Sequence, residues 1–129
     1  MKPKKILLIE DDPDIRLGLE VRLKSKGYTV ISKTNATDGI QAASNEKPDL
    51  LILDLGLPDI HGFDVLKHLR TSEGTSQLPV IILTAQGTTE NLTKALTADT
   101  VITFLEKPVS NEELLATIEI GLKNYGKQK

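Results

Sequence analysis

The stretch Leu50-Leu51-Ile52-Leu53-Asp54-Leu55-Gly56-Leu57-Pro58-Asp59 decides the fold of this chain. It begins with an unbroken apolar run, which predicts a strand buried on both faces, because a half-exposed strand would alternate apolar and polar residues. Pro58 interrupts regular structure and Asp59 favours a turn, so the chain should leave the sheet directly after Asp54. We therefore expect the Asp54 side chain at the carboxyl end of a strand, the edge where open α/β sheets bind ligands.

Three further apolar runs end in polar residues in the same way. They cover residues 6–9, followed by Glu10 and Asp11; residues 80–83, followed by Thr84; and residues 101–105, followed by Glu106, Lys107 and Pro108. If the strands are parallel, all these endings lie along one edge of the sheet. The side chains expected to converge there are Glu10, Asp11, Asp54, Thr84 and Lys107.

Helical patterns separate the strands. Asp12 and Pro13 form a typical helix start, and Gly27 fits a left-handed helix stop. The predicted elements are a second strand at 28–31 and helices at 13–26, 35–44, 63–69, 88–98 and 111–122. The threonine-rich helix at 88–98 is expected to be the least stable. Alternating strands and helices predict an α/β fold with a mostly parallel sheet, helices on both faces and right-handed crossovers.

Composition limits the class of protein. The 129 residues suit a single domain, which we expect to cover residues 1–124, with 125–129 as a polar tail or the start of a linker. No cysteine is present, so disulfides and thiolate metal sites are excluded and a reducing cytoplasm is the expected setting. The net charge is −2 with scattered basic residues, which argues against direct nucleic-acid binding by this domain. The apolar run that follows the basic start is too short for a signal peptide or membrane span.

Carboxylates gathered at one edge need a counter-charge. Two of them 4 Å apart repel by about 4 kcal/mol at an effective dielectric constant of 20. Their pKa values must rise or a cation must bind, and an all-oxygen site with open positions suits Mg2+. A phosphoryl group arriving there would meet the metal, the Lys107 ammonium, the Thr84 hydroxyl and a carboxylate that could attack phosphorus. The residues therefore predict phosphoryl transfer to an aspartate.

The chain resembles the CheY-like receiver domain of bacterial two-component response regulators over nearly its whole length. The resemblance rests on five motifs in order: 9–12 (Ile-Glu-Asp-Asp), 53–59 (Leu-Asp-Leu-Gly-Leu-Pro-Asp), Gly62, 83–85 (Leu-Thr-Ala) and 104–108 (Phe-Leu-Glu-Lys-Pro). It implies a doubly wound, flavodoxin-like three-layer sandwich with five helices and strand order 2-1-3-4-5.

The resemblance also implies roles for individual residues. Asp54 would accept a phosphoryl group from a phosphohistidine on a sensor histidine kinase or histidine phosphotransfer protein, and Lys107, before a cis Pro108, would contact that group. The implied Mg2+ ligands are Asp11, Asp54, the Gly56 carbonyl and, through water, Glu10. Thr84 and Phe104 would form the switch.

The resemblance also implies a surface that passes the signal to an output domain or protein. The predicted fourth helix, fifth strand and fifth helix would contact an output domain or protein, and phosphorylation could drive homodimerisation. The domain would catalyse only its own phosphorylation and dephosphorylation, so it is not classed as an enzyme. Phe104 stands where tyrosine is also common, and Thr100-Val101 where the family usually has Gly-Ala; Gly56 and Gln86 occupy positions that tune phosphoryl lifetime in the family.

Three other functions compete with this interpretation. A haloacid-dehalogenase-type phosphatase needs an aspartate two residues after its nucleophile, where this chain has Gly56. A flavin mononucleotide carrier needs a phosphate loop after the first strand, where the acidic residues 10–14 would repel a phosphate. The third is a degenerate receiver that acts as a phosphorylation-independent interaction module, which the intact set of site residues argues against. The sequence leaves open the cognate kinase, the output, and whether the domain stands alone.

Overall fold

The computed structural model describes residues 2–85 and 101–124, which form one sheet flanked by helices. The strands are β1 (Lys5–Ile9), β2 (Thr29–Lys33), β3 (Leu50–Asp54), β4 (Val80–Thr84) and β5 (Val101–Glu106). The helices are α1 (Pro13–Ser25), α2 (Ala36–Glu46), α3 (Gly62–Thr71) and a final helix (Asn111–Asn124). The helix predicted at 88–98, Gln86, Thr100 and the predicted tail lie outside the described residues.

The sheet has the predicted topology. Its order is β2-β1-β3-β4-β5, and all four neighbouring pairs are parallel. Ile9 lies opposite Leu53, and Asp54 lies opposite Leu83, so β1, β3 and β4 end at one edge. The predicted convergence of their carboxyl ends is confirmed.

The core has two halves, one on each face of the sheet. The apolar residues of β3 are completely buried, as the unbroken apolar run predicts. Leu51 and Leu53 pack with α2 and α3 on one face, whereas Leu50 and Ile52 pack with α1 and the final helix on the other. This is the three-layer sandwich expected from the sequence. In the part of the chain that the structure describes, no helix has both the length and the apolar character needed to cross a bilayer.

Capping residues set the two ends of α1, and its N-terminal end lies next to the site. The Asp12 carboxylate accepts hydrogen bonds from the backbone N–H groups of Asp14 and Ile15 at 2.9 and 3.2 Å, so Asp12 is the N-cap of α1 and Pro13 its first residue, as predicted. Gly27 has φ +90°, a left-handed conformation that glycine adopts without strain. Asp12 thus starts α1 directly after the acidic residues that follow β1, whereas Gly27 lies at the other end of the helix, before β2.

Several element boundaries differ from the prediction by one or two residues, those of α2 and β2 among them. Helix α2 continues to Glu46, two residues beyond the predicted end, and its C-cap Lys47 adopts a left-handed conformation (φ 50°) that is more usual for glycine. Strand β2 runs to Lys33 rather than Ile31, because it follows β1 up to the pair Ile9 and Lys33. Neither shift changes the position of a site residue.

Candidate functional site

Three carboxyl groups meet at the carboxyl edge of the sheet. One carboxylate oxygen from each of Glu10, Asp11 and Asp54 lies within 4.8 Å of the other two. Glu10 is completely buried, Asp54 is 4% exposed and Asp11 faces solvent. The cluster is therefore embedded in the protein on one side and open to water on the other.

Lys107 supplies the positive charge of the cluster. Its ammonium lies 3.0 Å from Glu10 Oε1 and 3.1 Å from Asp54 Oδ1, so one cation bridges two buried carboxyl groups. The backbone N–H of Lys107 donates to the Thr84 carbonyl at 2.9 Å, and the Lys107–Pro108 peptide bond is cis, as expected. The end of β4 thus helps to hold the lysine between the two acids.

The pKa values of the three groups move in different directions. Burial raises the pKa of Glu10 to about 7, although the Lys107 ammonium opposes the rise. Burial also pushes the pKa of Asp54 upward, but the hydrogen bond from the Gly56 N–H and the neighbouring Glu10 and Lys107 outweigh it, and the net pKa is lowered. For Lys107, burial disfavours the ammonium, yet the two carboxyl groups outweigh burial and raise its pKa. Glu10 therefore holds a proton to higher pH, while Asp54 is ionised.

The loop after β3 is a closed turn. Gly56 N donates to Asp54 Oδ1 at 3.1 Å, and Gly62 N donates to the Leu55 carbonyl at 3.3 Å. A Cβ at Gly62 would lie 2.5 Å from Leu55 Cδ2 and 2.9 Å from its Cα, so only glycine allows this approach. Leu57 is buried in the core between the two ends. The loop that carries Gly56 is thus held at three points.

The two predicted switch residues lie on neighbouring strands. Thr84 is 1% exposed at the end of β4, beside the lysine that contacts Asp54. Phe104 on β5 is half-buried and packs against the core half that contains α2 and α3. The sheet therefore places both residues on the side of Asp54 that faces β5.

Two residues near the site have contacts that the sequence analysis missed. Asp59 was predicted only as a turn former, but its carboxylate accepts hydrogen bonds from Ala36 N at 2.8 Å and from Thr37 N and Oγ1 at 2.9 and 2.7 Å. These bonds lower the pKa of Asp59 to about 2. Arg16 donates to the carbonyls of Glu10 and Asp11. The Asp59 contact had no local signal, because its partners lie 22 and 23 residues away.

His61 also has a role that was not assigned from the sequence. It is exposed, as expected, and its Nδ1 accepts a hydrogen bond from Phe63 N at 3.2 Å, so it caps the start of α3. His68 is exposed and its carbonyl accepts from the hydroxyls of Thr71 and Ser72. Neither histidine belongs to the acidic cluster.

The donor set fits a hard divalent cation. All the side-chain ligand atoms in the cluster are carboxylate oxygens, which Mg2+ and Ca2+ prefer, and the open side leaves room for the waters that Mg2+ retains. Glu10 Oε1 is paired with the Lys107 ammonium at 3.0 Å, and the Glu10 carboxyl also interacts with Asp54. One lysine thus faces three acidic groups, so the cluster has fewer positive than acidic groups.

Sequence comparison identifies relatives of the whole domain. The family model for the response regulator receiver domain matches residues 6–119. The transcriptional regulatory protein KdpE of Mycobacterium tuberculosis is 36% identical over 118 residues, which is 92% of this chain and 50% of KdpE. The chain thus spans about half the length of the first curated relatives it matches.

Solved structures with similar folds include other receiver domains. A CheY-like receiver domain protein from Methanospirillum hungatei superposes with a TM-score of 0.89 at 28% identity, covering 98% of this chain and 99% of that one. The receiver domain of the sensor histidine kinase PA1611 from Pseudomonas aeruginosa gives a TM-score of 0.85 at 26% identity, covering 95% and 99%. That protein was crystallised with a magnesium ion in its active-site cleft.

Proposed function

Because this chain belongs to the response regulator receiver domain family, we propose that it accepts a phosphoryl group on Asp54 from a phosphohistidine of a sensor histidine kinase or histidine phosphotransfer protein. The observation that carries the proposal is the placement of a buried, ionised Asp54 carboxylate 3.1 Å from the Lys107 ammonium. An Asp54 carboxylate oxygen attacks phosphorus, the P–N bond to histidine breaks and an acyl phosphate forms. The electron pair of that bond returns to the imidazole, which takes up a proton from water.

The neighbours of Asp54 suit this transfer. The pKa of Asp54 is lowered, so its carboxylate is available as a nucleophile at neutral pH. Lys107 lies where its ammonium can turn from Asp54 to the incoming phosphoryl oxygens, and its raised pKa keeps it charged. Thr84 at the adjacent strand end offers a hydroxyl donor. Preorganised donors of this kind stabilise the charge that develops on the transferring group.

Mg2+ is the proposed cofactor. Asp11, Asp54 and the Gly56 carbonyl would ligate it, with Glu10 acting through a bound water; this assignment rests on the cluster of carboxylate oxygens. When bound, Mg2+ supplies positive charge to the transferring phosphoryl oxygens. It also requires the carboxylates in their ionised form, so binding and loss of the Glu10 proton should be linked.

The switch and output are proposed for the other side of the site. After phosphorylation the Thr84 hydroxyl would turn to the phosphoryl oxygens, and the Phe104 ring would move inward. The surface made by the helix predicted at 88–98, β5 and the final helix would then contact an output domain or partner, or a second copy of the chain. The added charge of roughly −1.5 to −2 can bias such a switch only if its two arrangements are close in free energy.

The whole protein is proposed to be a cytoplasmic two-component regulator. The domain itself is not expected to bind nucleic acid, and it would catalyse only its own phosphorylation and dephosphorylation. The additional length of the curated relatives supports an output domain in those proteins. KdpE is a transcriptional regulatory protein, so regulation of transcription is one proposed output.

The test is intact mass after incubation with acetyl phosphate. With Mg2+ we expect one phosphoryl adduct, which disappears with a chelator and in Asp54→Asn. Asp64→Asn, in the exposed first turn of α3, is the matched control and should still form the adduct. No adduct on the native protein under any condition would refute the proposal and favour a phosphorylation-independent interaction module.

A further inference from the structure

The acidic cluster requires a backbone turn that the strand geometry alone does not provide. In β1, Leu8 packs with α1 on one face of the sheet, while Leu7 and Ile9 pack with α2 and α3 on the other. If this alternation continued, the side chains of Glu10 and Asp11 would point to opposite faces. Their carboxylate oxygens instead lie within 4.8 Å of each other and of Asp54. Glu10 N still donates to the Lys33 carbonyl at 3.0 Å, so the pairing with β2 continues to Glu10 and the chain turns directly after it.

Arg16 holds this turn from the first helix. Its Nη1 donates to the Glu10 carbonyl at 3.1 Å and to the Asp11 carbonyl at 3.4 Å, and its backbone N–H donates to the Asp12 carbonyl at 2.9 Å. The bond to the Asp12 carbonyl is the ordinary first hydrogen bond of α1. Successive carbonyls of an extended chain point in opposite directions, however, so the single Nη1 atom can reach those of Glu10 and Asp11 only where the chain turns. Arg16 thus binds the inner side of the β1–α1 turn.

The contacts of Arg16 are selective. Four acidic side chains, at positions 10, 11, 12 and 14, surround this guanidinium in sequence, yet among the described residues it forms no ion pair within 4.0 Å. Its side-chain hydrogen bonds go to the backbone carbonyls of Glu10 and Asp11, so Arg16 does not neutralise the carboxylates of these two residues. A planar guanidinium with several N–H donors is suited to hold two carbonyls at once.

We infer that Arg16 is a positioning residue for the metal site: it holds the backbone turn that brings the Glu10 and Asp11 carboxylates to one point. The inference rests on the proposed function, because it assigns to Arg16 a role in Mg2+ binding. Arg16 is not itself a ligand. The two effects of Arg16 on Mg2+ affinity have opposite signs. Its positive charge repels the cation and lowers the affinity, whereas its hold on the backbone turn brings the ligands together and raises it.

The test measures Mg2+ affinity directly, with Mg2+ alone as the probe. Two-dimensional amide NMR of the native chain, Arg16→Gln and Arg70→Gln during titration with MgCl2 gives the dissociation constant and shows that each variant is folded. Arg70→Gln removes the same charge from the exposed last turn of α3 and is the matched control. We expect a dissociation constant about ten-fold higher for Arg16→Gln, the lower range found when groups that orient metal ligands are removed. The control should match the native value.

Each other outcome overturns the inference. An unchanged dissociation constant for Arg16→Gln, with or without a lower thermal midpoint in chelator, would make Arg16 a structural residue only. Tighter Mg2+ binding would show that its charge dominates. A native chain that shows no Mg2+-dependent shifts would refute the proposed function and this inference together. If the native chain binds Mg2+ and Arg16→Gln binds it equally well, only the inference about Arg16 fails.

Discussion

In the absence of metal, the stability of this domain should fall as the pH rises from 5 to 8. The cause is Glu10, which is completely buried and whose pKa is raised from 4.5 to about 7. The unfolded chain loses this proton first, so above pH 4.5 the folded state binds more protons than the unfolded state. The stabilising effect of the proton on Glu10 is fully present below pH 4.5 and is lost progressively as the pH rises through about 7.

The size of the effect follows from the shift. The rise in the pKa of Glu10 from 4.5 to about 7 corresponds to roughly 3 kcal/mol at full titration. Integrating between pH 5 and pH 8 gives a loss of about 2–3 kcal/mol. With a urea m-value of about 2 kcal/mol per molar, the unfolding midpoint should fall by about 1 M over this range. The shift of Asp54 is in the opposite direction and acts below pH 4, outside this window.

The assay is urea unfolding followed by far-ultraviolet circular dichroism, in chelator, at several pH values between 5 and 8. Glu10→Gln keeps the shape of the side chain and removes its titration. The fall of about 1 M in the urea midpoint between pH 5 and 8 should therefore be absent from this variant. Saturating Mg2+ should restore stability at pH 8, because the metal binds the ionised carboxylates. A native midpoint that stays constant from pH 5 to 8, or a Glu10→Gln variant with the native slope, would refute the reasoning.

Three further predictions concern the loops around the site. Gly62→Ala should destabilise the fold by about 1–3 kcal/mol in urea unfolding, because the added Cβ would clash with Leu55. Gly18→Ala, where α1 has open space, should stabilise the fold by about 0.5–1 kcal/mol. Equal effects of the two substitutions would contradict this explanation. Lys107→Met should abolish or strongly slow the acetyl phosphate reaction, measured by intact mass over time, and native rates would remove Lys107 from the proposed mechanism. Asp59→Asn should lower the thermal midpoint at pH 7. The difference in thermal midpoint between the native chain and this variant should vanish as the pH falls from 4 through about 2, where the Asp59 carboxylate is protonated. A difference that persists at pH 2 would exclude this cause.

The sequence predicted those parts of the fold that depend on local pattern. Four apolar runs with polar endings were enough to place Asp54, Glu10, Asp11, Thr84 and Lys107 at the strand ends, because a parallel sheet brings all carboxyl ends to one edge. The predicted sheet order came from the family resemblance. The roles of these residues in phosphoryl transfer stay predictions until the adduct is measured.

Contacts that depend on tertiary placement were not predictable in this way. The Asp59 carboxylate is bound by residues of α2, and nothing in its own turn distinguishes it from other turn aspartates. The Arg16 contact is closer in sequence, but an arginine in the first turns of a helix is normally a solvated surface residue. Its effect becomes visible only when the carbonyl directions of Glu10 and Asp11 are known.

The hydrogen bonds between Asp59 and the start of α2 have a consequence for sequence evolution and for protein engineering. Residues 36 and 37 offer two backbone donors and one hydroxyl to a single carboxylate from another loop. A residue at 59 whose side chain has no acceptor within reach would leave these donors to water, so substitutions at 59 and 37 should be inherited together. A β3–α3 loop transplanted into a different receiver should likewise keep its geometry only when the first turn of its own second helix is moved with it.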